Sequence, residues 1–219
     1  MEFKDCFPIW DELSLEQQHR LSLSVTRKMI GKGALIHRGA LDCTGLLLVQ
    51  SGQLRAYILS DEGREVTIYR LIEMDVCLFT ASCVMRNIQF EISVEAEKDT
   101  QVWIIPPDIY RTLMEESAAV ANYTNDLMSG RFSEVMWLME QIMWRSFDRR
   151  LADFLLRESA LEGSPVLSIT HEKIASHLGS AREVVTRMLR YFQSEGLVRL
   201  SRGCVELTDQ KKLTLLSGD

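Results

Sequence analysis

The stretch from Ile169 to Gln193 constrains this chain more than any other, because its pattern predicts two helices separated by a tight turn. Gly179 stands between the two halves, and glycine readily adopts the positive φ at which helices commonly end. Ser180 follows it and is predicted to cap the second helix. Apolar residues recur at helical spacing in both halves. They are Ile174, Ala175 and Leu178 in the first helix and Val184, Val185, Met188, Leu189 and Phe192 in the second.

The second predicted helix, at about residues 181–193, leaves Arg182, Glu183, Thr186, Arg187 and Arg190 on its remaining surface. An Arg side chain can donate two hydrogen bonds to O6 and N7 of guanine, and a Glu side chain can accept one from N4 of cytosine. Arginines and hydroxyl groups can also bind backbone phosphates. The pattern therefore predicts a helix that reads the major groove of DNA. An ordinary helical hairpin with a solvated outer face is the alternative for this segment taken alone.

The residues after this helix favour the DNA-binding interpretation. Glycine at position 196 ends the helical pattern, and two short apolar runs, 197–200 and 204–207, flank the basic turn Ser201-Arg202-Gly203. Two such runs around a glycine-containing turn predict a β-hairpin. A hairpin beside a helix-turn-helix is the arrangement of a winged DNA-binding domain.

The segment Thr170–Leu207 resembles the DNA-binding domain of the Crp/Fnr superfamily of bacterial transcription regulators. In particular, Ser180-x-Arg182-Glu183-x-x-x-Arg187 matches the recognition-helix signature of that superfamily. The resemblance implies base contacts by these two arginines and the glutamate, whereas Val184 and Thr186 depart from the family pattern. The predicted DNA-contacting residues are Thr170, Ser180, Arg182, Glu183, Thr186, Arg187, Arg190 and Arg202.

The distribution of charge is compatible with this prediction. The chain has a net charge of −6, but residues 147–219 carry eleven Lys and Arg against ten Asp and Glu. Within residues 182–202, five arginines face only two acidic residues. Positive charge is thus concentrated around the predicted recognition helix and wing.

The clearest strand signal lies at Gly45–Leu71, where apolar and alternating runs are separated by Ser-Gly and Asp-Glu-Gly turns. Further short strands are predicted at Thr26–Met29, Ala34–Arg38, 90–96 and 100–105, and together they indicate a small β-roll. Before them, Ser14 is predicted to cap a short helix over LEQQHRLSL. The motifs Leu48-Val49-x-Ser51-Gly52 and Gly63-Arg64-Glu65 resemble the effector domain of the same superfamily.

A long helix is predicted from about Ala118 to Ser146, after a short helix that starts at Pro106-Pro107-Asp108. One apolar line repeats at intervals of four and three, as in a coiled-coil seam. Its members, the predicted dimer interface, are Met128, Phe132, Val135, Met139 and Ile142. A single amphipathic helix packed on its own domain is the alternative. A neighbouring apolar line (Met136, Trp137, Met143 and Trp144) favours two partners, the β-roll and an identical helix.

The predicted fold class is α+β: an N-terminal antiparallel, jelly-roll-like β-roll, a long dimerisation helix and a C-terminal winged helix-turn-helix. The predicted domains are an effector-sensing, cyclic-nucleotide-binding-like β-roll at 1–116, a linker helix at 117–146 and a DNA-binding domain at 147–219. The function predicted is a dimeric Crp/Fnr-type regulator that binds a near-palindromic operator under the control of an unidentified effector. In this scheme, the DNA-binding domains rotate about a hinge near Arg145–Asp148. A ligand-binding β-roll whose helical tail mediates protein interaction is the alternative.

The effector is where this chain departs from the family it resembles. Members that bind cyclic AMP carry a Gly-Glu pair and, after a short loop, an Arg-Ser or Arg-Thr pair. An ungapped alignment places Phe79-Thr80 and Phe90-Glu91 at these positions. An apolar ring in place of the arginine would remove the counter-charge of the cyclic phosphate, and a carboxylate in place of the hydroxyl residue would repel it. Cyclic AMP is therefore not expected to bind, and a less anionic ligand or none is predicted for the pocket lined by these four residues.

No other cofactor is predicted. The five cysteines (Cys6, Cys43, Cys77, Cys83 and Cys204) lack a C-x-x-C pair, so neither a disulfide framework nor a zinc site is suggested. Iron–sulfur and haem ligand sets are also missing, because Cys6 stands alone at the N-terminus and MDVCLFTASC contains no histidine. Cys77 and Cys83 could form a redox-sensing pair, with buried structural thiols as the alternative.

The sequence contains none of the common catalytic motifs, so an enzyme is not expected. It also has no apolar run of the roughly 18 residues that a membrane span needs, and no secretory signal pattern. We therefore expect a cytoplasmic protein. The expected partners are double-stranded DNA, a second copy of the chain, a small-molecule effector and, for an activator, RNA polymerase.

Overall fold

A computed structural model describes residues 2–38, 43–81 and 91–218. Residue contacts divide the chain into two compact units, which are described separately. The first comprises Met1–Leu59 and Ile68–Val135, and the second comprises Ser60–Thr67 and Met136–Asp219. The predicted domain ranges, 1–116, 117–146 and 147–219, stay predictions.

The first unit is built around two antiparallel β-sheets with helices before and after them. Short 3₁₀ turns at Trp10–Glu12 and Phe79–Ala81 complete it. Its helices and strands, in chain order, are α1 (Phe3–Cys6), α2 (Leu15–Ser24), β1 (Thr26–Ile30), β2 (Leu35–Arg38), β3 (Leu46–Ser51), β4 (Leu54–Leu59), β5 (Glu65–Leu71), β6 (Val76–Cys77), β7 (Ser93–Ala96), β8 (Thr100–Ile105), α3 (Pro107–Glu116) and α4 (Ala118–Trp144).

The two sheets have strand orders β1-β8-β3-β6 and β2-β7-β4-β5. Strand β3 explains why the apolar run LLLV does not alternate with polar residues. Leu47 and Val49 enter a core shared with residues of the other sheet, such as Val94. Leu46 and Leu48 enter a second core with the N-terminal helices and α3. Because both faces of β3 are buried, its sequence is continuously apolar.

The helix before the sheets begins as predicted. The Ser14 hydroxyl accepts a hydrogen bond from the backbone N–H of Gln17, and the Gln17 side chain accepts one from the N–H of Ser14. This reciprocal capping box satisfies two backbone donors that would otherwise lack a partner at the helix start.

Helix α4 changes character along its length. Its first turns are buried through Val120 and Thr124, and the Thr124 hydroxyl lies 2.7 Å from the hydroxyl of Tyr110 on α3. Farther along, Phe132 and Met139 are 68% and 48% exposed. The helix ends at Trp144, two residues before the predicted end.

The second unit contains a three-stranded sheet and four helices besides the end of α4. Its elements are α5 (Phe147–Glu162), β9 (Val166–Leu167), α6 (His171–Leu178), α7 (Arg182–Ser194), β10 (Val198–Ser201), β11 (Cys204–Leu207) and α8 (Gln210–Ser217). The sheet order is β10-β11-β9, with antiparallel pairing throughout.

One apolar core joins the helices and the sheet of this unit. It includes Leu155 of α5, Ile174 of α6, Phe192 of α7, Val205 of β11 and Leu213 of α8. Helix α8 is absent from the sequence-based prediction. Asp209 caps it by accepting from the backbone N–H of Lys212. Leu213 then buries its side chain completely, so packing rather than length stabilises this short helix.

Candidate nucleic-acid interface

The turn between α6 and α7 requires its glycine. Gly179 ends α6 with φ 62° and ψ 42°, in the left-handed region, and its N–H bonds to the carbonyl of Ala175. A Cβ atom on Gly179 would lie 2.5 Å from Cγ2 of Val66, a residue of the same unit. Arg150 of α5 donates to the last carbonyl of α6, that of Leu178. The predicted role of Gly179 is thus seen in the structure, and side chains from two other segments fix the turn.

The predicted cap of the second helix is wrong. Ala181, not Ser180, occupies the N-cap position of α7, and no side chain caps this helix. The turn between α6 and α7 is one residue longer than predicted. Ala181 still has extended backbone angles, φ −84° and ψ 144°, so the helix begins only at Arg182. Ser180 therefore lies one position too early for its hydroxyl to serve the first turn. Glu183 places a carboxylate in that turn, where it interacts favourably with the helix dipole.

Helix α7 separates its apolar and charged residues cleanly. Val185, Leu189 and Phe192 are fully buried in the core of the second unit. The opposite face forms a shallow concavity of about 430 Å³. It is lined by Arg182, Glu183, Thr186, Arg187 and Arg190, all five of which were predicted from the sequence to lie together.

The hydroxyl of Thr186, a predicted DNA contact, is already engaged in hydrogen bonds within the protein. Its hydroxyl donates to the carbonyl of Arg182 and lies 2.9 Å from Nδ1 of His171, the first residue of α6. Burial, followed by the charges of Arg182 and Arg190, lowers the pKa of His171 below its usual value. Sequence reasoning missed this histidine, because its partner is fifteen residues away along the chain.

The other predicted DNA contacts lie outside α7. Thr170 caps α6, and its hydroxyl accepts from the backbone N–H of Lys173 at 3.1 Å. This leaves the hydroxyl proton of Thr170 able to donate to a phosphate. Arg202 is exposed in the turn of the β10–β11 wing. Beside it, Arg199 forms an ion pair across the wing with Glu206, with an N–O distance of 3.0 Å.

The hairpin segment Ser60–Thr67 belongs to the same unit and also lies near α6 and α7. Val66 forms an antiparallel β-bridge with Leu178, and the Thr67 hydroxyl lies 2.8 Å from Nδ1 of His177. A second concavity is lined by residues of the hairpin and both helices, among them Arg64 and Glu183. No local sequence signal predicts the contact of this hairpin with α6, because the two segments are more than 100 residues apart along the chain.

The predicted effector residues are buried where the structure describes them, apart from Glu91, which is exposed. The ring of Phe79 packs against that of Tyr69, with centroids 5.9 Å apart. The hydroxyl of Thr80 donates to the carbonyl of Gly45 at 2.7 Å and also lies near the carbonyl of Cys77. Phe90 lies outside the described residues.

The first unit contains buried charged groups that the sequence pattern did not predict. Arg55 is 1% exposed and forms an ion pair with Glu95, its partner in the register between β4 and β7. Arg70 pairs with Glu97, with an N–O distance of 2.6 Å. Arg131 of α4 lies 4.2 Å from the ring centroid of Tyr69. The sequence signal for these buried ion pairs was the presence of one arginine within each of the apolar strands β4 and β5.

The prediction for the cysteines was wrong at Cys43. Cys43 is disulfide-bonded, whereas the sequence suggested no disulfide framework and no pairing of Cys43. Disulfide formation depends on the proximity of two cysteines in the fold, which sequence spacing does not give. Cys77 is a free, buried thiol, and burial raises its pKa. It is therefore not in a disulfide with Cys83, which lies outside the described residues, and it has the character of a structural thiol.

Within residues 2–38, 43–81 and 91–218, no group of three or more His, Cys, Asp or Glu side chains is placed to hold a metal ion. None of the helices in the same ranges has the length and apolar character needed to cross a bilayer.

The fold and this surface define a two-part regulator: a β-roll unit followed by a winged helix-turn-helix. Comparisons with known proteins agree. Residues 28–117 match the cyclic nucleotide-binding domain family, and residues 149–216 match the Crp-like helix-turn-helix domain family. A solved structure from Eubacterium rectale, described as a transcriptional regulator of the Crp/Fnr family, is 60% identical with a TM-score of 0.96, covering 98% of this chain and 100% of its own.

Two curated relatives are more distant. The cyclic AMP receptor protein of Thermus thermophilus is 27% identical over 75% of each chain. The transcriptional activator protein Anr of Pseudomonas aeruginosa is 27% identical over 97% of this chain and 88% of its own. This chain belongs to the Crp/Fnr superfamily of transcription regulators, which are dimeric DNA-binding proteins rather than enzymes. The predicted superfamily, fold class and regulatory function are confirmed.

Proposed function

We propose that this chain binds a near-palindromic operator as a homodimer, with α7 of each protomer in the major groove of one half-site. The observation that carries this proposal is the polar face of α7, where five residues line one concavity opposite a fully buried apolar stripe. A two-fold dimer of such helices fits half-sites about 34–36 Å apart, one turn of the duplex.

The roles proposed for individual residues follow from their positions. Arg182, Glu183 and Arg187 lie in the first two turns of α7, and all three are exposed. They are therefore proposed to contact base edges. Arg190 lies farther along the same concavity and is proposed to bind phosphate. Thr170 at the start of α6 and Arg202 on the wing are the other proposed phosphate contacts. Ser180 is retained as a proposed contact at the turn.

A second copy of the chain is proposed to cover the exposed half of α4. Phe132, Met139 and Ile142 of the predicted seam are exposed, and Val135 is half-buried. Met128, the first residue of the seam, packs partly against the core of its own unit. In the second apolar line, Arg157 of α5 lies over the ring of Trp137, whereas Met136, Met143 and Trp144 are exposed. These contacts support a seam that runs mainly from Phe132 to Ile142.

We further propose that a small molecule other than cyclic AMP controls the β-roll. Thr80 uses its hydroxyl proton in a buried bond to a backbone carbonyl, and Phe79 fills the core, so neither offers the ribose contact made by the family's Gly-Glu pair. Glu91 adds negative charge where the family has a hydroxyl residue beside the phosphate. The protein is proposed to act in the cytoplasm, without an iron–sulfur or haem cofactor and, if it activates transcription, with RNA polymerase as a partner.

Selection of bound sequences from random DNA tests the main proposal. We expect recovered sites to contain two inverted half-sites, and their affinity to fall steeply as salt rises because bound phosphates release counterions. Calorimetric titration with cyclic AMP tests the effector proposal. A micromolar dissociation constant, with tighter DNA binding in its presence, would contradict the exclusion of this nucleotide. A failure to enrich any DNA sequence would contradict DNA recognition by α7.

A further inference from the structure

His171 joins the two helices of the helix-turn-helix. It is the first residue of α6, is half-buried, and places Nδ1 2.9 Å from the hydroxyl oxygen of Thr186 on α7. Thr186 lies in the concavity that contains the arginines of α7. The imidazole therefore contacts one residue of this concavity directly, although it comes from the other helix.

The hydrogen bonds of Thr186 fix the tautomer of this histidine. A threonine hydroxyl has one proton, and that of Thr186 is donated to the carbonyl of Arg182, 2.9 Å away. The bond to His171 must then run from Nδ1–H to the Thr186 oxygen. In a neutral ring with its proton on Nδ1, Nε2 carries a lone pair and can only accept.

Protonation would thus change one end of the imidazole without disturbing the other. The imidazolium keeps the Nδ1–H bond to Thr186 and gains an N–H donor and a positive charge at Nε2. The link between α6 and α7 is the same in both states. A positively charged donor at this position can bind an anionic phosphate oxygen, whereas the neutral ring presents a lone pair that repels it.

The surrounding charges keep the ring neutral in the free protein. Burial and the positive charges of Arg182 and Arg190 on α7 lower the pKa of His171. On its own helix, Glu172 lines the other concavity with Arg64 and Glu65 of the hairpin. DNA phosphates bound near the two arginines would offset their charge and so favour the imidazolium.

We propose that DNA binding by this chain is coupled to uptake of one proton per protomer at His171, whose imidazolium then joins the phosphate-binding surface. This inference rests on the proposed placement of α7 in DNA. The proton comes from the solvent, so affinity rises as pH falls. The dependence is confined to the interval between the pKa of His171 in the complex and its lower pKa in the free protein, and affinity is constant on either side.

The test measures the affinity of the full-length protein for a short fluorescent duplex recovered by selection, between pH ~5.5 and ~8 at constant ionic strength. We expect the wild type to bind more tightly at the acidic end, by up to about tenfold per protomer for each unit by which the pKa of His171 rises on binding. H171N offers Thr186 an amide N–H donor but does not titrate, so its affinity should vary much less. H19N, which removes an exposed histidine of α2 in the other unit, is the matched control and should behave as wild type.

Calorimetry in two buffers of different ionisation enthalpy counts the protons taken up on binding, and NMR titration follows the His171 ring with and without DNA. We expect proton uptake in the wild type and H19N but not in H171N, and a pKa of His171 that rises on binding. The NMR titration uses wild-type protein alone, so it decides the question even if H171N folds poorly. Equal pH dependence in wild type and H171N, or an unchanged pKa, overturns the inference while leaving DNA binding intact. Failure of the wild type to bind DNA at any pH overturns the proposed function as well.

Discussion

Helices α4 and α7 both carry repeating apolar residues, but they bury them in different ways. In α7, Val185, Leu189 and Phe192 are fully buried within the protomer, and the charged residues occupy the opposite face. In the later part of α4, Phe132 and Met139 are exposed although their spacing is equally regular. An exposed apolar line on one helix is the feature that marks a contact with another chain.

The difference teaches how the same sequence signal serves two purposes. The apolar stripe of α7 packs against α5, α6 and the wing. This packing holds the helix in place and leaves the polar face of α7 available for a ligand. In the proposed dimer, the apolar line of α4 gains most of its burial when the α4 helix of a second copy covers it. Changes in the α7 stripe should therefore affect each protomer by itself, whereas changes in the α4 seam should depend on protein concentration.

The largest effect is expected from charges placed in the α4 seam. Replacing Val135 and Met139 together by Glu would bury four like charges in the proposed dimer and should weaken it by on the order of 5 kcal/mol or more. Sedimentation velocity should show monomer at concentrations where the wild type is a dimer. Ser133→Glu adds one charge on the exposed side of the same helix and should leave the dimer intact. Unchanged sedimentation of the double variant would place the interface elsewhere.

A cavity in the α7 stripe should act within the protomer. Leu189 is fully buried, so Leu189→Ala is expected to lower the free energy of unfolding of the second unit by about 2–5 kcal/mol. Phe132→Ala removes a larger side chain that is 68% exposed, and its cost should appear only through dimerisation. Denaturant unfolding at several protein concentrations separates the two. If the destabilisation by Leu189→Ala vanished at high protein concentration, the contrast between the helices would be wrong.

A change on the polar face of α7 should leave the fold unaffected. Arg187 is exposed and lines the concavity, and the Arg187→Ala variant is expected to lose ~1–3 kcal/mol of affinity for the selected site and to tolerate more bases at one position. Its unfolding midpoint should match that of the wild type. Binding to selected and scrambled duplexes gives the measurement. An equal loss on both would identify Arg187 as a phosphate contact rather than a base contact.

The sequence was most informative where one residue type permits one local structure. Gly179 at a positive φ, the continuous apolar run of β3 and the Ser14 cap were all readable from pattern and spacing. The same capping rule misplaced Ser180, because the turn after Gly179 contains one residue more than the helix signal requires. Sequence patterns locate elements well, but they define the ends of those elements less precisely.

Contacts between distant segments were not readable. The bond between His171 and Thr186, the ion pair between Arg55 and Glu95, and the packing of α8 depend on the assembled fold. Each of these residues has an ordinary local sequence. The disulfide of Cys43 was missed for the same reason. In the proposed DNA surface, spacing therefore identified the residues of α7, but it could not show that one hydroxyl among them is already bonded to α6.

The smallest effects are expected from substitutions at the starts of the two helices of the helix-turn-helix. Thr170 caps α6 through a 3.1 Å bond to the N–H of Lys173, so Thr170→Ala should lower the free energy of unfolding by about 1 kcal/mol. Ser180 does not cap α7, and Ser180→Ala should change that free energy by less than ~0.5 kcal/mol. Both changes are measured by denaturant unfolding without DNA, because both hydroxyls are also proposed DNA contacts. Thr170→Ser, which keeps the capping oxygen, is the control and should stay close to wild type. Equal costs for the two alanine variants would mean that Ser180 supports the start of α7 after all.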